Sequence, residues 1–323
     1  MKAIRIHQFG ESEDVLQYED VATPEPKAGE VLIKVEAASL NRADIGLRRG
    51  TYRIAAEALP VIPGREFAGT VAALGAGVSA FHVGERVVGY PSLGGYAEYA
   101  VAKTSEVRPI PEGVTAAQAA ATPTTFLTAW FGLKTDGALK AGEWLLVQGG
   151  SSGVGIAAIQ IAKHLGAKVI ANSGSEEKCR RLRKLGADVT VDVSANDFAE
   201  EAMRVTDKRG VDVVLEMIGG EAFQKSLTVL APGGRLFSIG GAFGALPDPM
   251  PALSEGRKAT RFSITNHLKA KPEDFTQLDT ILQLVAEKNF DVGIGKTFPL
   301  AETRAAQKYL HGRDHFGKVM LSM

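Results

Sequence analysis

Three glycines whose spacing suits an anion-binding turn lie near the middle of the chain. Gly150, Gly153 and Gly155 follow the pattern G-x-x-G-x-G within the segment QGGSSGVGIAA. Glycine lets the backbone turn tightly and approach a ligand closely, and a helix beginning here would aim free N–H groups at that ligand. A diphosphate is the anion that this arrangement favours. No Gly-Lys-Ser/Thr sequence follows, which argues against a nucleoside-triphosphate loop.

The segments around these glycines predict the elements that a phosphate-binding turn needs. Residues 144–147 form a continuous apolar run, as in a strand buried on both faces, and a second strand begins over residues 168–171. Ile156, Ile159 and Ile161 give an apolar side to the helix predicted between them. This strand–turn–helix–strand unit is the setting in which a dinucleotide cofactor binds. The alternative, a tight turn whose glycines serve packing only, stays open.

The end of the second strand bears on the form of the cofactor. A NADH site commonly has an Asp or Glu there, which accepts hydrogen bonds from the ribose hydroxyls. Residues 171–175 read Ala-Asn-Ser-Gly-Ser, with no carboxylate before Glu176. Ser173 and Ser175 offer hydroxyls and Lys178 offers a positive charge, a set that suits a 2′-phosphate. We therefore expect NADPH rather than NADH. The alternative for Lys178 is a solvated helix residue.

The composition is that of a globular chain without an obvious macromolecular partner. Hydrophobic residues make up 45% and charged residues 23% of 323 residues, a length that favours two domains. Lys and Arg number 37, as do Asp and Glu. This balance favours neither nucleic acid nor an anionic membrane as a partner.

The cysteine count and the hydropathy pattern exclude several further classes of protein. The only cysteine, Cys179, excludes an intrachain disulfide and a multi-cysteine zinc site. The first residues carry no apolar signal segment, and no run of 18 apolar residues occurs. We therefore expect a cytoplasmic protein without membrane contact.

Strand and helix patterns divide the chain into two domains. Residues 1–101 contain short alternating segments separated by Gly and Pro, which indicates a small barrel-like β domain. From residue 144, strands alternate with helices up to a last predicted strand at residues 261–266, which indicates a parallel, doubly wound sheet. We expect a first domain at residues 1–124, completed by a tail at residues 267–323, and a cofactor-binding domain at residues 125–266.

In these features the chain resembles members of the medium-chain dehydrogenase/reductase superfamily. The resemblance is strongest to the zinc-free quinone oxidoreductase branch of the zeta-crystallin type. The similarity covers essentially the entire chain, and its strongest motif is Gly153-Val154-Gly155 with the helix after it. Further motifs are NRAD at residues 41–44, PGREFAG at residues 63–69 and AGE at residues 141–143. The resemblance implies an α/β fold, with a Rossmann doubly wound parallel sheet plus a β-rich GroES-like catalytic domain. It also implies a homodimer, for which the strand predicted at residues 261–266 is a plausible pairing edge.

The departures from zinc-binding members of the superfamily are informative. Those members carry a Cys near position 40 and a His in a Gly-His-Glu motif, where this chain has Leu40 or Asn41, and Arg65. Their four-cysteine zinc lobe is absent, and the six histidines show no ligand spacing. Because catalytic zinc needs three or four protein ligands held together, we expect no metal.

The resemblance also implies cofactor contacts. It places Asn41 near the nicotinamide ribose and Thr125 near the nicotinamide end of the cofactor. Lys318 would approach the cofactor, or else be a charge at a strand edge. The predicted strand after residue 261, like the segment after residue 240, would contribute backbone groups. The full predicted cofactor-binding set is Asn41, Thr125, Ser152, Gly153, Val154, Gly155, Ser173, Lys178, Gly241, Ala242, Phe262, Ile264 and Lys318.

Without a metal, the expected reaction is hydride addition from NADPH to an acceptor that is already electrophilic. A quinone or the β-carbon of an α,β-unsaturated carbonyl fits this requirement. Many zinc-free relatives have a Tyr two residues after the Asp of the Asn-x-x-Asp motif, where this chain has Gly46. Tyr52 is the nearest replacement as a hydrogen-bond donor, or else a packing aromatic.

Arg65 and Asn41 complete the predicted catalytic set with Tyr52. The resemblance places Arg65 near the substrate, where it could anchor an oxygen anion or form an ion pair with Glu66 or Asp44. The competing function is that of a non-catalytic NADPH-binding protein, either a redox sensor or a structural protein of the same fold. An intact glycine turn predicts NADPH binding for both the enzyme and the non-catalytic protein. Only the enzyme would turn over a substrate.

Overall fold

The computed structural model describes residues 1–51, 58–240, 244–312 and 314–323. Two compact units make up this part of the chain: Met1–Pro123 together with Pro272–Met323, and Thr124–Lys271. The predicted α/β fold is confirmed. None of the described helices is long and apolar enough to cross a bilayer.

The elements of the described residues have the following bounds. The strands are β1 (Lys2–Ile6), β2 (Leu16–Asp20), β3 (Glu30–Ser39), β4 (Phe67–Leu74), β5 (Arg86–Gly89), β6 (Tyr99–Lys103), β7 (Val107–Pro109), β8 (Trp144–Val147), β9 (Lys168–Ser173), β10 (Val189–Asp192), β11 (Val211–Glu216), β12 (Leu230–Ser238), β13 (Lys258–Arg261), β14 (Ile294–Pro299) and β15 (Lys318–Ser322). The helices are α1 (Arg42–Arg48), α2 (Ala116–Ala121), α3 (Pro123–Trp130), α4 (Gly153–His164), α5 (Glu176–Lys184), α6 (Phe198–Val205), α7 (Gly220–Thr228), α8 (Ile264–Ala270), α9 (Gln277–Ala286) and α10 (Thr303–His311).

The first unit is built around a mixed sheet in which the C-terminal strand pairs with a strand from the first 40 residues. Its strand order is β14-β15-β3-β4-β5-β7, and β6 also pairs with β3. The C-terminal strand β15 runs antiparallel to β3, with Met320 opposite Ser39. A core of fully buried side chains that includes Ile33, Phe67 and Val319 packs on this sheet. The β3–β15 pairing places Lys318 beside the residues that follow β3.

The second unit is the predicted parallel sheet. Its order is β10-β9-β8-β11-β12-β13, and all the strand pairs are parallel. From β8 the chain winds outward through β9 to β10, and then returns to the centre and winds the other way through β11. Sheets of this order bind ligands at the carboxyl ends of the central strands, where the winding direction changes. The glycine turn follows β8 and therefore lies at this place.

The structure corrects the last strand predicted for this sheet. The sequence predicts a strand at residues 261–266, but β13 ends at Arg261 and α8 begins at Ile264. Ser263 precedes the helix, and its side chain accepts a hydrogen bond from the backbone N–H of Asn266 at 3.4 Å. A serine in this position satisfies a free N–H group of the first turn and so favours a helix start. The apolar pattern around Phe262 therefore belongs to a strand end followed by a helix.

Candidate active site

The glycine turn has no room for a side chain at its third glycine. A Cβ atom built on Gly155 would lie 2.5 Å from the carbonyl oxygen of Gly149 and 2.6 Å from that of Gly150. Gly149 itself has a φ of +69°, a conformation that favours glycine. The first turn of α4 therefore packs directly against the backbone of the turn.

The start of α4 offers unpaired backbone donors. Ser152 precedes the helix, and its hydroxyl accepts a hydrogen bond from the N–H of Gly155 at 3.0 Å. The next N–H, of Ile156, bonds to the carbonyl of Ser152 at 2.9 Å. Within the described part of the chain, the N–H groups of Gly153 and Val154 have no acceptor. Two free N–H groups at the positive end of a helix are suited to a diphosphate.

A chain of buried amides holds the turn in this conformation. The side-chain oxygen of Asn172 accepts a hydrogen bond from the N–H of Gly149, and its backbone carbonyl accepts one from the N–H of Gly150, both at 2.8 Å. The amide of Asn172 donates to Gln148, which in turn donates to the Ser226 hydroxyl at 2.9 Å. From the sequence, Asn172 is only a position that carries no carboxylate, and no role is predicted for its amide. A polar residue at the end of a buried strand was the available indication of this role.

The end of β9 presents hydroxyls and a cation beside the turn. The Ser173 hydroxyl donates to that of Ser151 at 3.0 Å, and Lys178 lies half-buried in the first turns of α5. Glu176, the nearest carboxylate in sequence, forms an ion pair with Arg183. This arrangement keeps the Glu176 carboxylate engaged with a guanidinium.

The other predicted cofactor residues of this unit are less accessible. Thr125 lies on α3 with 2% of its surface exposed. Phe262 and Ile264 are buried, and the N–H of Phe262 donates to the carbonyl of Ser238 at 2.8 Å. The predicted residues Gly241 and Ala242 lie outside the described residues.

A buried carboxylate also lies at the ligand-binding edge of the sheet. Glu216 ends β11, and one of its oxygens accepts hydrogen bonds from the N–H groups of Ile218 at 2.7 Å and Gly219 at 2.8 Å. Its other oxygen accepts a hydrogen bond from the Ser238 hydroxyl at 3.3 Å. Burial raises the pKa of Glu216 above its ordinary value despite these bonds. The side chain fixes the loop that follows β11.

The first unit contains a buried polar cluster around Glu66. One oxygen of Glu66 accepts hydrogen bonds from the Asn41 amide at 2.7 Å, the Lys318 ammonium at 2.7 Å and the Ser39 hydroxyl. The ammonium also donates to the Leu40 carbonyl and to the Asn41 side-chain oxygen, each at 2.9 Å. Glu66 is fully buried and Lys318 is 4% exposed. Lys318 is therefore a buried ion-pair partner rather than a charge at a strand edge.

A second buried pair adjoins this cluster. One oxygen of Asp44 accepts a hydrogen bond from the backbone N–H of Asn41 at 2.7 Å and another from the Tyr96 hydroxyl at 2.6 Å. Burial raises the pKa of Asp44 above its ordinary value. Burial, together with the charge of Asp44, raises the pKa of Tyr96 well above its ordinary value. A Cβ on Gly64 would lie 2.3 Å from the Tyr96 ring, so glycine is needed there. The sequence reasoning did not single out Tyr96.

Of the residues predicted on the substrate side, the structure describes Arg65 but not Tyr52. The guanidinium of Arg65 lies over the ring of Tyr90, 4.9 Å from its centroid, a typical cation–π distance. Glu66, one of the two partners considered for Arg65, forms an ion pair with Lys318. Tyr52 lies outside the described residues. No group of three or more His, Cys, Asp or Glu residues that could hold a metal occurs in the described ranges.

Comparison with known proteins decides the family. Residues 27–112 match the family model of the alcohol dehydrogenase GroES-like domain, and residues 153–284 match that of the zinc-binding dehydrogenase. The quinone oxidoreductase of Sus scrofa is 34% identical over 328 residues, which cover 99% of this chain and 97% of the relative. The chain belongs to the zinc-free quinone oxidoreductase branch of the medium-chain dehydrogenase/reductase superfamily.

Solved structures of similar proteins agree with this membership. A mycobacterial protein complexed with NADPH matches with a TM-score of 0.91 and 34% identity, over 100% of both chains. The CurK enoyl reductase matches with a TM-score of 0.90 and 31% identity, over 100% of this chain and 99% of the other. The quinone oxidoreductase fold, a GroES-like domain plus a Rossmann domain, is thus confirmed for this chain.

Proposed function

We propose that this quinone oxidoreductase relative uses NADPH to reduce a quinone or an α,β-unsaturated carbonyl without a metal. The observation that carries the proposal is the start of α4, where Gly153 and Val154 offer free N–H groups and Gly155 permits close packing. The residues present therefore fit the diphosphate of a dinucleotide. The NADPH complex and the enoyl reductase among the similar structures agree with it.

The end of β9 supports NADPH over NADH. We infer that Ser173 and Lys178 bind the 2′-phosphate, since a hydroxyl and a cation complement a dianion. Glu176, whose charge would oppose a phosphate, is paired with Arg183. The other proposed cofactor contacts are Asn41, Thr125, Ser152, Gly241, Ala242, Phe262 and Ile264, while Lys318 contacts Asn41.

The proposed chemistry needs modest help from the protein. Bound NADPH supplies the hydride, and the chain's own residues bind and orient the acceptor. Arg65 is the proposed anchor for the acceptor oxygen, since its guanidinium is held over Tyr90 and carries a permanent charge. Tyr52 is the proposed hydrogen-bond donor to that oxygen, and Asn41 the proposed donor to the cofactor.

Steady-state turnover tests the proposal. NADPH oxidation is followed by absorbance with 1,2-naphthoquinone, 9,10-phenanthrenequinone and a series of enals, with and without a metal chelator. We expect turnover of at least one acceptor, at a rate that the chelator does not change, with NADH a poorer donor. Tight NADPH binding without turnover of any acceptor would reject the enzyme and favour the redox sensor or structural protein. Chelator-sensitive turnover would reject the metal-free reaction.

We also propose that the chain forms a homodimer through the β13 edge of the second unit. Among the described strands, β13 ends the order of the parallel sheet, so one side of it has unpaired backbone groups. Its residues are largely exposed. The cytoplasmic location stays a prediction from the sequence.

A further inference from the structure

The side-chain amide of Asn41 lies between two opposite buried charges. Its oxygen accepts a hydrogen bond from the Lys318 ammonium at 2.9 Å, and its nitrogen donates one to the Glu66 carboxylate at 2.7 Å. The ammonium and the carboxylate also contact each other at 2.7 Å. The amide therefore closes a three-membered ring of charge-assisted hydrogen bonds.

This ring allows only one orientation of the amide. A flipped Asn41 would direct its oxygen at the Glu66 carboxylate and its NH2 group at the Lys318 ammonium, and both contacts are repulsive. Glu66 is fully buried and Lys318 is 4% exposed, so water does not screen these charges. The ion pair thus selects between two amide conformers that are nearly equal in shape.

The selected orientation leaves one polar hydrogen for another molecule. The Asn41 nitrogen carries two hydrogens and makes one hydrogen bond within the described residues, while Asn41 is half-buried and Glu66 and Lys318 are buried. The backbone N–H of Asn41 is held by Asp44 at 2.7 Å, which fixes the residue at the start of α1. The three hydrogens of the Lys318 ammonium all have protein acceptors.

We propose that the Lys318–Glu66 ion pair is a positioning device that turns the second N–H of Asn41 toward an oxygen of bound NADPH. Lys318 and Glu66 then act on the cofactor through Asn41 and do not contact it. This inference rests on the proposed function, in which Asn41 contacts the nicotinamide ribose. It deepens that function by assigning roles to Glu66 and to the buried C-terminal Lys318.

A double-mutant cycle on NADPH affinity tests the inference. The dissociation constant of NADPH is measured by fluorescence titration for wild type, Asn41→Ala, Lys318→Met and the double variant, with no acceptor present. We expect each single variant to weaken binding by about tenfold, as for loss of one hydrogen bond. The double variant should bind no more weakly than Asn41→Ala, because Lys318 has nothing left to position. A double variant weakened by about a hundredfold, or an Asn41→Ala variant that binds normally, overturns the inference.

Two further variants separate positioning from stability. Arg48→Met removes another buried cation of the same unit, which pairs with Glu13 and does not contact the Asn41 side chain. It should lower stability and leave NADPH affinity within about twofold, as expected for an independent site. Equal weakening by Arg48→Met and Lys318→Met would show a general effect and overturn the inference.

The second variant, Glu66→Gln, tests the same ion pair if the Lys318→Met protein does not fold. Glu66→Gln keeps the volume and an acceptor oxygen for Lys318 but removes the anion that orients the amide. It should weaken NADPH binding by roughly threefold in the wild-type background, and not at all with Asn41→Ala present, as expected for coupled residues. Equal weakening in both backgrounds overturns the inference.

The proposed reaction and the proposed positioning role can be rejected independently of each other. If the wild type turns over no acceptor but the affinity cycle is non-additive, the proposed reaction is rejected and the positioning role stands. If acceptors are turned over and the cycle is additive, the reaction stands and the positioning role is rejected. A wild type that does not bind NADPH rejects both.

Discussion

Gly155 can pack against the backbone of the glycine turn only because it has no Cβ atom. A Cβ there would lie 2.5 Å from the Gly149 oxygen and 2.6 Å from the Gly150 oxygen, which are backbone atoms that cannot rotate away. We therefore expect Gly155→Ala to push α4 off the turn and lower the free energy of unfolding by about 1–3 kcal/mol, typical of overpacking. NADPH binding should weaken by at least about tenfold, or 1.4 kcal/mol. Denaturant unfolding and fluorescence titration measure the two effects.

Gly132 provides a matched control in the same unit. Gly132 lies in the π-helical turn Phe131–Thr135 that follows α3, and a Cβ on it would approach no atom outside its own helix and chain neighbours closer than 4.0 Å. Gly132→Ala should leave stability unchanged or raise it by up to about 1 kcal/mol, because alanine is the better helix former. Equal losses of NADPH affinity in the two variants would contradict the steric explanation.

At the scale of elements, we propose that the junction of β9 and α5 sets the preference for NADPH over NADH. Lys178 supplies the cation of this junction, while Glu176 is paired with Arg183. Lys178→Ala should weaken NADPH binding by about tenfold, as for a hydrogen bond to a charged group, and leave NADH binding unchanged. Titration with both nucleotides measures the ratio. Lys184, exposed in the last turn of the same helix, is the control, and Lys184→Ala should alter neither affinity. A loss shared equally by NADPH and NADH would exclude a contact with the 2′-phosphate.

The junction of β3 and α1 makes stability depend on pH. Burial raises the pKa of Asp44 in the folded protein, whereas its unfolded pKa is about 3.9. Between these two values the folded protein binds more protons, so the free energy of unfolding falls as pH rises, by at most about 1.4 kcal/mol per pH unit for this group. Asp44→Asn keeps an oxygen for Asn41 and Tyr96 and cannot ionise, so it should lose this part of the slope. Unfolding by denaturant from about pH 4 to pH 8 tests it, the lower limit being the unfolded pKa. Parallel curves for wild type and Asp44→Asn would contradict the assignment.

At the scale of the whole molecule, the proposed homodimer pairs through the β13 edge of the second sheet. The N–H of Phe262 donates to Ser238 on β12. Because N–H directions alternate along a strand, the N–H of Ala259 points away from β12. Ala259→Pro therefore removes an outward donor without removing a bond inside the sheet. We expect the variant to be monomeric by light scattering while NADPH binding persists. A variant that stays dimeric would exclude pairing through β13.

The spacing of residues close together in sequence was enough to predict much of the fold. The glycine turn, the buried strands around it and the strand–helix alternation depend on contacts within a few residues of each other, so patterns of period two or 3.6 reveal them. The same reasoning was wrong at residues 261–266, where Ser263 starts a helix inside an apolar segment. Propensity could not separate a strand end from a helix start there, because the cap depends on a single hydroxyl.

Only the tertiary structure brought together the charged cluster around Asn41. Lys318 is separated by 277 residues from Asn41 and by 252 from Glu66. No local pattern links them, and they meet because β15 pairs with β3. The sequence left Lys318 equally open to approaching the cofactor and to being a charge at a strand edge, and its burial excludes an exposed charge. Adjacent residues thus determine the glycine turn, whereas the orientation of Asn41 depends on the pairing of β3 with β15, two strands that are far apart in sequence.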